Sequence, residues 1–181
     1  DITCKRFEIP DHFFLINGMD FGWDHPQAHI QLAIDPDSAT IYVCQAWKKA
    51  KKQPWEAWQS VKVWAQDVPT AWPHDGLQTE KGSAKETKKY YVEAGFKMLP
   101  EHATWPDGGN GVEVGVMEIR DLMLKGKFKV FEGLREWFDE FLQYHRDESG
   151  KIAKVRDDLL DATRYAYMMR RFATTRPRPR I

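Results

Sequence analysis

The sequence predicts an α/β fold in which a mixed sheet is flanked by helices, and three observations carry that expectation. The early segments "HFFLINGMD", "AHIQLAI" and "TIYVCQAW" are short and rich in β-branched and aromatic residues, as strands are. The second and third are joined by "DPDSA", whose Asp, Pro and Ser favour a tight reversal and so an antiparallel pair. Beyond them, helical periodicity alternates with short apolar runs, the pattern of helices laid over a sheet.

Taken in order, the first strand ends at Asp20 and two antiparallel partners follow. "PWEAWQSVKVWAQ" carries Trp55, Trp58, Val61 and Ala65 at helical spacing. "TAW" is a short strand running into "PHDG", and "SAKETKKYYVEAG" is a helix that Gly95 stops. "FKML" is a further short strand and "WPDGGNG" a loop, whose glycines lack the dinucleotide-binding spacing. A helix at "EVGVMEIRDLMLKG", a strand "KFKVF" and a helix "GLREWFDEFLQYH" come next. "DESG" turns a small hairpin before the last helix, which begins near Arg156. Residues 1–173 are expected to form one domain, and the basic stretch 174–181 a mobile tail, because it offers too little apolar surface to bury.

The chain of 181 residues is long enough for one real core, and 42% apolar with 13% aromatic content excludes a disordered segment. It begins at Asp1 rather than Met, which suggests a piece of a longer chain. Lys plus Arg and Asp plus Glu number 27 each, so net charge does not advertise a nucleic-acid partner, although "KKAKK", "KGSAKETKK" and "RPRPR" are local basic clusters. Cys4 and Cys44 make neither a disulfide framework nor a zinc knuckle, and a reducing cytoplasm fits them. No run approaches the roughly 20 apolar residues of a membrane span.

The last helix poses the central question. "KVRDDLLDATRYAYMMRR" gathers Asp157, Asp158 and Asp161 at its head. At about 100° per residue, with Asp157 at zero, Asp161 lies near 40° and Asp158 near 100°. Tyr165, Met168 and Phe172 continue that stripe, with Leu159, Ala162, Ala166 and Met169 beside it. Arg156, Thr163 and Arg170 fall opposite, and Arg164 and Arg171 are grouped with them on the solvated side, so the acids are expected to extend the apolar face without a salt-bridge partner there. Two readings are open. Asp is favoured in a first helical turn by the unpaired amides and the dipole, which accounts for one acid or two. Alternatively, inward carboxylates are stabilised by metal.

Two more acids bear on the choice. Asp20 ends the first strand in "GMDFG" and Asp75 the fourth in "PHDG", where functional groups gather in α/β sheets. Gly18, Gly22 and Gly76 nearby let backbone and ligand approach closely. Each acid alone reads as a turn residue. With the helical acids they make a carboxylate nest that needs cations, and oxygen donors without a Cys/His set select Mg²⁺ or Mn²⁺. Two such ions, about 4 Å apart, would activate a water and stabilise the leaving oxygen of a phosphodiester.

The order of "GMDFGWDHP", "PHDG" and the run from "VEVGVMEIRDLMLKGKFKVF" through "LREWFDEFLQYH" to "KVRDDLLDATRYAYM" resembles the C-terminal nuclease domain of the large terminase subunit of tailed bacteriophages. The resemblance covers nearly the whole chain. It implies a ribonuclease-H-like fold, with three antiparallel strands followed by parallel ones, and catalytic acids at the first strand, the fourth strand and the last helix. Carried over, these are Asp20, Asp75 and Asp157, with Asp161 a further ligand or a supporting acid and Asp158 the doubtful member. Asp20 would bridge the ions, with Asp75 and Asp157 each completing one side. The implied activity is metal-dependent cutting of double-stranded concatemeric DNA with little sequence preference. The implied partners are an ATPase motor domain of the same full-length chain, the portal protein and the small terminase subunit, at the procapsid portal in the host cytoplasm. No G-x-x-x-x-G-K-[ST] motif occurs here, as expected of a piece beginning after the motor. A resolvase or transposase core of the same fold, or a non-catalytic DNA-binding or docking module, are the alternatives.

Remaining candidates have plainer expectations. His74 could touch metal or substrate; Asp24 and His25 are expected only to shape a turn. Glu113 and Glu118 belong on a solvated helix face, Tyr165 and Tyr167 pack, and the tryptophans are core, with Trp23 and Trp105 in loops as exceptions. The tail arginines would serve phosphate contact or docking.

Overall fold

In the computed structural model, residues 1–79, 85–144, 146–153 and 156–177 are described. Among them, six strands form one sheet: β1 (Thr3–Cys4), β2 (Phe14–Asp20), β3 (Gln27–Ile34), β4 (Ile41–Lys49), β5 (Thr70–Ala71) and β6 (Phe128–Phe131). Their order across the sheet is β1-β6-β4-β3-β2-β5. The expected antiparallel meander is β2–β3–β4, with Phe14 opposite Ile34 and Ile34 opposite Ile41. β5 joins β2 and β6 joins β4, both in parallel. Two details differ from expectation. "FKML" contributes a single bridge, Met98 to Thr70, because the chain only brushes the short β5. The two-residue β1, too short to show any alternation, pairs with β6.

Five helices among the described residues cover the sheet: α1 (Pro54–Ala65) and α2 (Thr87–Ala94) on one face, α3 (Val112–Leu124), α4 (Arg135–Gln143) and α5 (Asp158–Met168) on the other. The period-2 alternation of β2 sorts its side chains between them. Met19 joins the α1–α2 cluster with Ala57, Val61 and Trp72, whereas Ile16 joins Leu159, Ala162 and Ala166 of α5. The α1 face contains buried amides. Asn17 Nδ2 donates to the carbonyl of Ala65 at 3.2 Å and Gln31 Nε2 to that of Trp64 at 2.8 Å, satisfying the C-terminal end of α1. The stripe α1 buries fully is Ala57, Val61 and Ala65, with Trp58 and Trp64 packed partly buried beside it, while Trp55, expected inside, is 61% exposed.

α5 is the pivot of the fold. It crosses β2 at Gly18, where a Cβ would lie 2.0 Å from the Ala162 carbonyl and 2.9 Å from the Ala166 Cβ. α3 and α4 then close over its outer side, burying Thr163 and Arg164, which the helical wheel assigned to solvent. Thr163 Oγ1 accepts from Trp137 Nε1 at 3.0 Å and donates to the Leu159 carbonyl at 2.7 Å. The helix ends at Met168, earlier than its apolar stripe suggested, and a 3-10 turn (Arg170–Phe172) follows, with Phe172 45% exposed. The chain then returns to the sheet. Thr174, placed by sequence at the head of the mobile tail, exchanges two backbone hydrogen bonds with Leu15, at 2.7 and 3.0 Å. Residues 178–181, including Arg178 and Arg180, and Lys81 of "KGSAKETKK" lie outside the described residues.

Candidate metal centre

Parallel pairing of β2 and β5 brings both strand ends to one edge of the sheet, so Asp20 and the turn bearing Asp75 emerge side by side. The N-terminus of α5 opens onto the same edge. All five acids singled out by sequence, Asp20, Asp75, Asp157, Asp158 and Asp161, line one cleft of about 990 Å³. Asp24, His25, Lys48, Arg156 and Tyr165 share it. Asp24 and His25, expected only to shape a turn, therefore face the acids. Gly22 makes their turn possible: a Cβ there would sit 2.4 Å from the His25 carbonyl. The three glycines serve this backbone packing more than ligand approach, since a Cβ on Gly76 would strike the Trp72 and Phe21 rings.

The electrostatics are those of a site short of positive charge. Burial, followed by the charges of Asp161, Asp75, Asp158 and Asp157, pushes Asp20 from the usual 3.8 up to about 8. Burial also raises Asp75 and Asp158. The donors are carboxylates with one imidazole and no thiol among the lining residues, a set that fits a hard divalent cation. Among the described residues, no three of these acids bring an oxygen each within 4.8 Å of one another; a ring nitrogen of the exposed His12 and carboxylate oxygens of Asp35 and Asp37 come that close.

The head of α5 bears on the two roles that sequence left open. Asp157 occupies the N-cap position, yet its side chain makes no capping bond. The amides of Leu159 and Leu160, which an N-cap side chain would take, donate instead to Glu140 Oε1 of α4 at 2.8 and 3.1 Å. The other Glu140 oxygen accepts from Lys48 Nζ at 2.8 Å, the two side chains being 2% and 16% exposed. Burial pushes Glu140 up to about 7, opposed by Lys48 and the Leu160 amide. A carboxylate from another helix thus takes over the capping duty, and the acids of α5 are left facing the cleft. Arg156, entering the helix at φ 46°, sets this turn in a conformation that non-glycine residues rarely adopt.

Asp161 has the partner that sequence denied it. Arg164 Nη2 donates to its Oδ1 at 3.0 Å, with both side chains largely buried. Three residues apart, the two lie only about 60° from each other round the helix, within reach of a long guanidinium. Neither Arg164 nor the Lys48–Glu140 pair was singled out from sequence. The signal for Glu140 was present: it sits one turn after Trp137, an acid on the apolar stripe of α4.

The other candidates lie elsewhere. His74 is exposed and stands edge-on to His102, at 4.8 Å between rings. Glu113 pairs with Arg146, and Glu118 accepts from the Tyr167 hydroxyl at 2.7 Å, so neither reaches the cleft. Tyr167 packs, as expected, whereas Tyr165 lines the cleft. Trp105 is buried and donates to the Gly111 carbonyl; Trp23 is 49% exposed. No helix among the described residues is long and apolar enough to cross a membrane.

Residues 17–170 match the family described as Terminase RNaseH-like domain. The chain is 59% identical over 172 residues to the large terminase subunit of Salmonella phage P22, an alignment taking in 95% of this chain and 34% of that protein. It thus spans about a third of the length of the curated relatives it matches. The structure resembles that of the P22 large terminase nuclease domain with a TM-score of 0.91 at 58% identity, covering 96% of this chain and 90% of the other. It also resembles the large terminase nuclease domain of bacteriophage SPP1, solved with bound Mn, with a TM-score of 0.60 at 21% identity over 87% and 86% of the two chains. That more distant likeness shows the fold alone. The sheet and its helices have the ribonuclease-H-like fold, and this chain belongs to the terminase RNaseH-like domain family.

Proposed function

We propose that this domain is a metal-dependent endonuclease that cuts double-stranded DNA during phage genome packaging. The observation that carries the proposal is the head of α5: three acids face a cleft shared with Asp20 and Asp75 because Glu140 has taken their capping role. Asp20, Asp75 and Asp157 would hold two divalent ions, Mg²⁺ or Mn²⁺, with Asp161 and Asp158 supplying further oxygens. When bound, such ions supply an activated water and charge stabilisation for the departing 3′ oxygen. Lys48 and Arg156 line the same cleft and offer positive charge to the phosphate. Arg164 holds Asp161 in place, and Glu140 fixes the pitch of the helix that carries the acids. His74, exposed beside Asp75, is near enough in sequence to support it.

Charged side chains of this kind meet the DNA backbone rather than base edges, which supports cutting of concatemeric DNA with little sequence preference. The domain would work beside an ATPase motor of the same full-length chain, with the portal protein and the small terminase subunit as partners, in the cytoplasm of the infected host. Plasmid nicking in Mn²⁺, Mg²⁺ and EDTA tests the proposal. Nicking with millimolar Mn²⁺, weaker with Mg²⁺ and absent in EDTA or with Asp20→Asn, is the expected result, since Mg²⁺ surrenders its water reluctantly. A domain that binds no divalent ion at these acids, as a docking module would not, overturns it.

A further inference from the structure

A second groove adjoins the acid cleft. It measures about 410 Å³ and is walled by the Phe21–Trp23 turn, the entry to α1 at Lys52–Pro54, and Thr87, Tyr90 and Tyr91 of α2. Phe21, next to Asp20, lines both cavities and separates the groove from the cleft by a single side chain. Its floor is aromatic, and Trp23 stands at its rim, 49% exposed.

This wall is fixed in place. The Lys51 amide donates to the Trp23 carbonyl at 2.7 Å, and Gln27 Nε2 donates to the Lys52 carbonyl at 2.6 Å. Lys51 adopts φ 55°, a conformation unusual for lysine that the first of these bonds helps hold. Lys49 and Lys51, on the stretch that runs into the lining residue Lys52, are exposed and form no ion pair among the described residues. A narrow slot with aromatic faces and lysines at its edge suits unpaired bases on a phosphate backbone, whereas a duplex would hide the base faces that rings stack on.

We propose that this groove receives a single-stranded DNA segment next to the scissile phosphate, with Trp23 stacking a base and Lys49 and Lys51 contacting the backbone. The proposal rests on the nuclease reading for its substrate. The test measures binding with an Asp20→Asn background in EDTA, by fluorescence anisotropy of labelled duplexes that are either blunt or carry a six-nucleotide overhang. Trp23→Ala should weaken overhang binding about 10-fold and change blunt binding less than 2-fold. Trp23→Phe should restore most of the loss. The pair Lys49→Ala and Lys51→Ala should flatten the dependence of log Kd on log salt by about 1.4 on the overhang DNA. Unchanged overhang binding in Trp23→Ala, or equal losses on both DNAs, overturns the groove assignment. Failure of the nuclease reading would appear separately, as a parent domain that never nicks plasmid in Mn²⁺.

Discussion

Replacing Asp20 with Asn should stabilise the metal-free protein, and by an amount that grows with pH. Asp20 keeps its proton up to about pH 8 in the folded protein but releases it near 3.8 in the unfolded chain. Between those values the unfolded state binds one proton fewer, so folding stability falls by about 1.4 kcal/mol for each pH unit. The penalty is absent below 3.8, grows through the whole window and is complete above 8. At pH 7 it amounts to roughly 4 kcal/mol, a large part of a typical domain's stability. Water in the cleft screens part of it, so a gain of about 2 to 4 kcal/mol is expected from Asn, which mimics the protonated acid. Urea denaturation in EDTA at pH 5, 6 and 7 should show the parent losing stability steadily and Asp20→Asn losing less. Asp75 and Asp158, raised in the same direction, leave the variant a residual slope. Mn²⁺ should reverse the order by stabilising the parent by mass action. Parallel pH profiles in EDTA, or a variant less stable than the parent at pH 7, would refute the reasoning.

Further substitutions probe the supports of the site. Glu140→Ala should cost about 3 kcal/mol in urea denaturation, because Lys48 and two helix amides lose their acceptor, and Glu140→Gln should recover about half; an alanine variant within about 1 kcal/mol of the parent would contradict the capping role. Gly18→Ala drives a methyl into the Ala162 carbonyl and should cost about 3 kcal/mol or more, with metal-dependent nicking lost in whatever folds. Truncation after Pro177 spares the Thr174–Leu15 bridge, so plasmid nicking should stay within a few-fold of the parent; a larger loss in a folded truncation would point to direct DNA contact by the tail arginines.

The strands of the meander were legible because alternation and turn chemistry are local, and β2 through β4 follow them. The helical acids were legible for a different reason: a carboxylate on an apolar stripe demands an explanation whatever surrounds it. What supports them was not. Lys48 and Glu140 are 92 residues apart, so neither announces the other along the chain. Thr163 and Arg164 were assigned to solvent because a wheel separates two faces, and α5 has neighbours on both. Trp55 was assigned to the core by its helical spacing, but it stands in the first turn of α1, where the helix enters, and is exposed. Asp24 and His25 read as turn residues, and they are; only the register of β2 against β3 turns that loop toward the acids.

The capping of α5 by Glu140 has a consequence for how this chain can change over generations. Most helices carry their own start signal, so the residues just before them are constrained in length and kind. Here the start is fixed by α4 and β4, and the stretch leading into the helix is relieved of that duty. The exposed turn at Asp147–Lys151, closed by the bridge between Arg146 and Ile152, could lengthen or shorten without shifting the acids that line the cleft. Loop-length variation among descendants should collect there, while Glu140 and Lys48 change only together.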